Sequence, residues 1–136
     1  MTASPMKKSI LVADGDADSR LQAILQGCEL AFAHSLEEAA HAALRRSFDL
    51  IIIDMHFDDS RMFDLLRYLR SEERLRATPV ICVRTHRFEW TNIAGEGLEI
   101  AVKALGGQAF IDLAKYGTDP AADQQIRKLI DGFFSA

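Results

Sequence analysis

Two aspartates each come directly after a short apolar segment, and their carboxylates are the side chains of this sequence best suited to chemistry. Asp14 follows residues 10–13 (ILVA), and Asp54 follows residues 50–53 (LIII). Two carboxylates that share a cleft can hold a divalent cation or share a proton. Either aspartate alone is explained equally well as a polar residue that begins a loop. The chemistry therefore depends on whether the fold brings the two together.

Five short apolar segments alternate with five helix-like patterns along the chain. The segment at residues 50–53 is apolar throughout, as expected of a parallel strand buried on both faces. The predicted strands are residues 10–13, 30–33, 50–53, 80–83 and 109–113. Apolar residues at helix spacing follow each strand. A capping box at Ser35 and Glu38, and the pair Asp119-Pro120, predict where two of the helices begin.

This alternation predicts an α/β fold of three layers, a doubly wound, flavodoxin-like sheet of five parallel strands in the order 2-1-3-4-5. Five strand–helix units are too few for an eight-stranded barrel. In this order the first and third strands are neighbours, and ligands bind beyond their carboxyl ends. We therefore expect Asp14 and Asp54 to converge there, with Asp16 nearby.

Length and charge exclude several classes of protein. The chain has 136 residues, of which 49% are hydrophobic, and its 16 basic and 20 acidic side chains give a net charge of −4. These values predict one domain over residues 1–136. No apolar run approaches the ~18–20 residues of a membrane span, no secretory signal is evident, and the acidic balance argues against nucleic-acid binding. We expect a cytoplasmic protein with no membrane or nucleic-acid partner.

Several stretches, in the correct order, resemble the receiver domains of response regulators. ILVADGDADSR resembles their opening, FDLIIIDMHFDDSRMFDLLRYLR their phosphoacceptor strand, loop and helix, and TPVICVRT and AVKALGGQAFIDL the elements that follow. The resemblance covers residues 7–134. It implies a phosphorelay module of two-component signal transduction in which Asp54 receives a phosphoryl group from a sensor histidine kinase. It also implies a Mg²⁺ ion held by Asp14, Asp54 and the backbone carbonyl of His56.

The sequence departs from the receiver pattern where that pattern binds the metal and the phosphoryl group. Gly15 stands in place of a second acid, and Arg84 replaces a Ser or Thr, with Thr85 one place later. Leu113 replaces a lysine, and the nearest lysine is Lys115. Each lost charge-assisted contact is worth ~1.5–3 kcal/mol. We therefore expect an atypical, degenerate receiver (a pseudo-receiver) in which the Mg²⁺ and phosphate switch is weakened or lost.

Arg84 has two interpretations. Its guanidinium could lie against Asp54 and Asp14 and balance their charge without phosphate. Alternatively it points to solvent, as most arginines do. A long polar stretch, residues 84–97, follows the fourth predicted strand.

Two functions follow from these residues. The first is a stand-alone receiver without enzymatic activity that contacts a histidine kinase or a downstream regulator. Its output surface, and its surface for a homodimer, would comprise the fourth helix, fifth strand and fifth helix, as the resemblance implies. The alternative is a haloacid-dehalogenase-type phosphatase, in which Asp14 is the nucleophile, Asp16 the acid/base and Mg²⁺ lies between them. The order of the later motifs does not match that family.

Overall fold

A computed structural model describes residues 7–14, 19–85 and 95–134 of the chain. Within these ranges five strands alternate with five helices. The strands are β1 (Ser9–Ala13), β2 (Glu29–Ala33), β3 (Leu50–Asp54), β4 (Val80–Arg84) and β5 (Ala109–Asp112). The helices are α1 (Ser19–Ile24), α2 (Leu36–Arg45), α3 (Met62–Ser71), α4 (Gly95–Ala104) and α5 (Pro120–Asp131).

The five strands form one parallel sheet in the order β2-β1-β3-β4-β5. This order confirms the predicted α/β fold. It places β3 at the centre of the sheet, between β1 and β4, so that all the side chains of β3 are buried. The apolar character of β3 follows from this position, because helices cover both faces of a parallel sheet.

Two apolar cores lie on opposite faces of the sheet. Alternate residues of each strand point to opposite faces, so Ile51 and Ile53 pack in the core under α2, α3 and α4. Leu50 and Ile52 pack in the core under α1 and α5. We name these sides the α2–α3–α4 face and the α1–α5 face.

Local signals fix two of the helix starts. The Ser35 hydroxyl accepts a hydrogen bond from the Glu38 N–H (3.1 Å), as the capping box predicts. The Glu38 carboxylate, however, accepts from the His34 N–H (3.1 Å), one residue further back than a capping box requires. At α5 the Asp119 carboxylate accepts from the Ala122 N–H (2.8 Å), and Pro120 is the first helical residue.

The end of β5 differs from the prediction. The strand ends at Asp112, and residues Leu113–Lys115 form a short 3-10 turn instead of continuing it. The turn begins there because the Asp112 carboxylate accepts a hydrogen bond from the Ala114 N–H (3.1 Å). Among the helices in the described ranges, none is long and apolar enough to cross a bilayer.

Candidate functional site

Asp54 is the last residue of β3, and its carboxylate is held by three donors. The side chain is only 2% exposed. Its Oδ1 accepts hydrogen bonds from the Thr85 hydroxyl (2.9 Å) and the Thr85 N–H (3.3 Å). Its Oδ2 accepts from the His56 N–H (3.0 Å). These contacts give the carboxylate a fixed orientation at the carboxyl end of the sheet.

Asp14 lies beside Asp54 at the end of the neighbouring strand. The β1–β3 register pairs Ala13 with Ile53, so the next residue of each strand is an aspartate and both point to the α1–α5 face. Asp14 is 5% exposed. Its N–H donates to the carbonyl of Ala33 (3.0 Å), and its own carbonyl is 2.9 Å from His34 Nδ1. The fold thus brings the two predicted carboxylates to one edge of the sheet.

Arg84 and Thr85 are consecutive residues that point to opposite faces of the sheet. Asp54 pairs with Val83 across β3 and β4, so Thr85, two residues beyond Val83, shares the face of Asp54. The sequence suggested that this hydroxyl comes one residue too late, yet it reaches the carboxylate. Arg84 lies on the α2–α3–α4 face, next in line after Cys82.

A buried ion pair joins Arg84 to Asp112. The two residues are register partners across β4 and β5, and the Arg84 Nη2 group donates to Asp112 Oδ2. Their side chains are 1% and 5% exposed, respectively. Both interpretations of Arg84 are therefore wrong, because the side chain is buried and lies on the face opposite Asp54 and Asp14. A buried guanidinium needs a charged partner, because a charge taken out of water loses several kcal/mol of hydration free energy. Asp112 is that partner.

Asp112 is a site residue that the sequence patterns do not reveal. It sits inside a stretch (AFIDL) that otherwise looks like a buried strand, and its partner lies 28 residues away. A charged residue within a predicted buried strand is itself a signal, because such residues are rarely buried without a partner. That signal indicates a buried ion pair, but it does not name Arg84.

The two residues proposed as substitutes for the receiver lysine lie in different surroundings. Leu113 is fully buried and packs in the core of the α1–α5 face. Lys115 is exposed, and it borders a cavity of about 320 Å³ together with Phe110, Asp112 and Tyr116.

The described residues do not form a complete Mg²⁺ site. Mg²⁺ requires near-octahedral oxygen ligation and is usually bound through carboxylates. Both lone pairs of Asp54 Oδ1 are used by the two donors of Thr85, and Oδ2 already accepts from His56. Within the described ranges no group of three metal-binding side chains occurs. Asp16, the predicted additional acid, lies outside those ranges, as do residues 86–94 of the long polar stretch.

The loop between β3 and α3 has an uncommon backbone. Asp58, Asp59 and Ser60 have φ angles of 45°, 54° and 67°, which lie in the left-handed region. That region costs a residue with a Cβ roughly 1–2 kcal/mol. The Asp58 carboxylate accepts a hydrogen bond from the Leu36 N–H (2.8 Å), which attaches the loop to the start of α2. Strain of this kind is typical of functional sites.

Cys82 lies in β4, and its side chain is on the face of the sheet opposite Asp54. It is fully buried in the core of the α2–α3–α4 face. Burial and, secondarily, the negative charge of Asp54 raise the pKa of this thiol from its ordinary value of 9.0 to about 12. A thiol with such a pKa stays protonated and is a poor nucleophile at neutral pH.

Comparisons with known proteins identify the architecture. Neither a protein-family model nor a curated protein matches the sequence. Solved structures do match: chemotaxis protein CheY4 of Vibrio cholerae is 20% identical with a TM-score of 0.70, over 95% of this chain and all of that chain.

Two further structures give the same result. A response regulator from Hahella chejuensis is 17% identical with a TM-score of 0.72, over 93% of this chain and 94% of that one. The phosphorylated cyanobacterial phytochrome response regulator RcpA is 22% identical with a TM-score of 0.68, over 95% and 94%. Each likeness extends over almost the whole chain. This chain therefore has the fold of response-regulator receiver domains.

Proposed function

We propose that this chain is a receiver-type module of two-component signalling that acts by contacting other proteins rather than by catalysis. The observation that carries the proposal is the buried carboxylate of Asp54 at the end of the central strand, next to Asp14. This is the position that the receiver resemblance assigns to the phosphoacceptor. Two of the solved structures of the same fold described above are named as response regulators, and this supports the same class.

We further propose that the phosphorylation switch is weakened, so that the module is a pseudo-receiver. Phosphoryl transfer to Asp54 would form a bond between one carboxylate oxygen and phosphorus. Thr85 engages both lone pairs of Oδ1 and the His56 N–H engages one of Oδ2, so a single lone pair of the carboxylate is left for an attack that breaks no hydrogen bond. The position expected to hold a lysine is the buried Leu113. Arg84, at the end of β4, is paired with Asp112 on the opposite face of the sheet.

The output surface is proposed to be formed by α4, β5 and α5. Ile100 on α4 is 70% exposed and Leu129 on α5 is 43% exposed, and they are the large apolar side chains of the described residues that are most accessible. Between these helices lies the 320 Å³ cavity, bordered by Phe110 and Tyr116 as well as by Leu129. Exposed apolar side chains beside aromatic ones are typical of protein interfaces. A regulator, a histidine kinase or a second copy of the chain would bind there.

The test is labelling with acetyl phosphate and Mg²⁺, read by intact-protein mass spectrometry. Attack on the acetyl phosphate phosphorus would break its bond to acetate and add a phosphoryl group to the protein. We expect the wild type to remain largely unlabelled. The variant Leu113→Lys restores the lysine that the receiver resemblance implies, and we expect labelling to rise.

The control for that experiment is Asp54→Asn in both backgrounds. It must abolish any labelling that occurs at the proposed acceptor. Stoichiometric labelling of the wild type that disappears in Asp54→Asn would disprove the weakened switch and would leave the receiver assignment intact. Failure of both proteins to bind any histidine kinase or regulator encoded by the same organism would count against the signalling assignment itself.

A further inference from the structure

A small arginine-lined recess lies at the edge of the sheet opposite Asp54. It is formed where α2 ends at Arg45 and where the chain enters β4 after Thr78. Its volume is about 160 Å³, the space of roughly five water molecules at ~30 Å³ each. Arg45, Arg46 and Arg74 line it, together with Ser47 and Thr78.

The recess concentrates positive charge on a protein whose net charge is −4. Three arginines and two residues with side-chain hydroxyls line it, and no acidic residue of the described ranges does. Of the three arginines, Arg46 has an ion-pair partner in the described part of the chain, Glu29 at 3.1 Å. Arg45 contacts His41 Nε2 (3.3 Å), and Arg74 donates to the carbonyl of Leu44 (2.9 Å).

The orientation of Arg74 is fixed by this last hydrogen bond. A guanidinium has five N–H donors, and the bond to Leu44 is the one that the structure describes for Arg74. The same bond offsets the partial negative charge at the end of α2, which would otherwise repel an anion. The backbone N–H of Arg46 likewise donates to the carbonyl of Ala42 (3.3 Å), near the end of α2.

From this arrangement we infer that the recess binds a phosphate-type oxyanion, either free phosphate or a phosphate monoester. Guanidinium forks match tetrahedral oxyanions through paired N–H donors, and the Ser47 and Thr78 hydroxyls can donate to the remaining oxygens. The site lies at the amino-terminal ends of the strands, whereas Asp54 lies at a carboxyl end. The inference is therefore independent of the proposed receiver function.

The competing explanation is that these arginines only neutralise helix ends. The two explanations differ in what happens when Arg45 is removed, because Arg45 caps no backbone carbonyl in the described structure and contacts only the exposed His41. If the recess is an anion site, Arg45→Ala lowers its affinity for phosphate. If the arginines only neutralise helix ends, Arg45→Ala leaves the response to phosphate unchanged.

The experiment is a titration of ¹⁵N-labelled full chain with sodium phosphate at constant ionic strength, followed by NMR. We expect saturable shifts of the Ser47 and Thr78 amides in the wild type. Arg45→Ala and Arg74→Ala should each weaken the affinity by about tenfold, and Arg74→Lys, which keeps the charge but loses the fork, by less. Arg67→Ala is the matched control, since Arg67 is an exposed arginine that pairs with Asp64 on α3 away from the recess.

Methyl phosphate in a parallel titration separates the two sources of the ligand. Equal affinities indicate the free ion, and tighter binding of methyl phosphate indicates a phosphate monoester. The inference is overturned by shifts that do not saturate, by equal shifts with sodium chloride, or by affinities unchanged in Arg45→Ala. If Arg74→Ala fails to fold, Arg45→Ala alone decides the result.

Discussion

Thr85 donates two hydrogen bonds to one oxygen of Asp54, one from its hydroxyl and one from its backbone N–H. The contact joins the ends of β4 and β3 and orients a buried carboxylate. Because it uses the backbone as well as the side chain, it depends on the position of the whole residue. The next side chain back along β4, Arg84, is committed to Asp112 on the opposite face. Two consecutive residues therefore contact Asp54 on the α1–α5 face and Asp112 on the α2–α3–α4 face.

Removing the Thr85 hydroxyl should destabilise the protein. Thr85→Val keeps the shape of the side chain but deletes one of the three donors to Asp54. A hydrogen bond to a charged group contributes ~1.5–3 kcal/mol, so we expect the free energy of unfolding in urea to fall by about 2 kcal/mol at pH 7.5. Thr85→Ser restores the hydroxyl and should recover most of the loss. A Thr85→Val protein as stable as the wild type would show that the hydroxyl does not support the carboxylate.

The Arg84–Asp112 pair should behave as a unit in a double-mutant cycle. Arg84→Met removes the cation from a buried carboxylate, and breaking a buried pair in this way costs ~3–5 kcal/mol. The double variant Arg84→Met/Asp112→Leu removes both charges and should be more stable than Arg84→Met alone. Urea unfolding of all four proteins measures the coupling.

The matched control for that cycle is the exposed pair of Arg67 and Asp64. Its side chains are 62% and 51% exposed, so Arg67→Ala should change stability by less than about 1 kcal/mol. In the cycle at Arg84 and Asp112, effects of the two substitutions on the free energy of unfolding that simply add would contradict the buried pair.

The raised pKa of Cys82 predicts a loss of stability in alkali. The unfolded thiol loses its proton near pH 9.0, whereas the folded thiol keeps its proton until about pH 12. Between these values the unfolded state binds fewer protons, so stability decreases as the pH rises. At pH 10 the wild type should have lost about 1.4 kcal/mol more than Cys82→Ala, relative to pH 7.5. Parallel pH profiles for the two proteins would exclude this effect.

Glycine at position 60 should stabilise the loop after β3. Ser60 has a φ of 67°, a conformation that glycine adopts without steric cost. We expect Ser60→Gly to raise the free energy of unfolding by about 0.5–1 kcal/mol, the relief of strain being partly offset by the greater freedom of glycine in the unfolded chain. Ser60→Ala, which keeps the Cβ, is the matched control and should show no gain. If both variants lose stability equally, the serine side chain matters more than the backbone.

Local sequence patterns were sufficient for the strands and for the starts of two helices. The apolar run of β3 is a pattern of consecutive residues, and each cap, at Ser35 and at Asp119, acts on a backbone N–H three residues further on. Such local patterns can be recognised without knowing the fold. The strand order followed from the alternation of strands and helices. The neighbouring positions of Asp14 and Asp54 then required no more than adjacent strands.

The remaining site geometry depends on register, which no local pattern contains. Counted along the sequence, Thr85 is displaced from the receiver hydroxyl position, but the pairing of Asp54 with Val83 puts Thr85 on the face of Asp54. The partner of Arg84 is equally non-local, because β4 and β5 are separated by α4. The left-handed turn at Asp58 was also unforeseeable, since the residues that form it include no glycine.

Because Arg84 and Thr85 point to opposite faces of the sheet, the length of β4 determines which of the two side chains faces Asp54 and Asp14. Deleting one residue from this strand, with its amino end held in place, would shift every later side chain to the other face. The guanidinium would then turn towards the two aspartates, and the hydroxyl towards Asp112. A one-residue deletion would thus replace the hydroxyl that now supports the Asp54 carboxylate with a guanidinium, without any substitution.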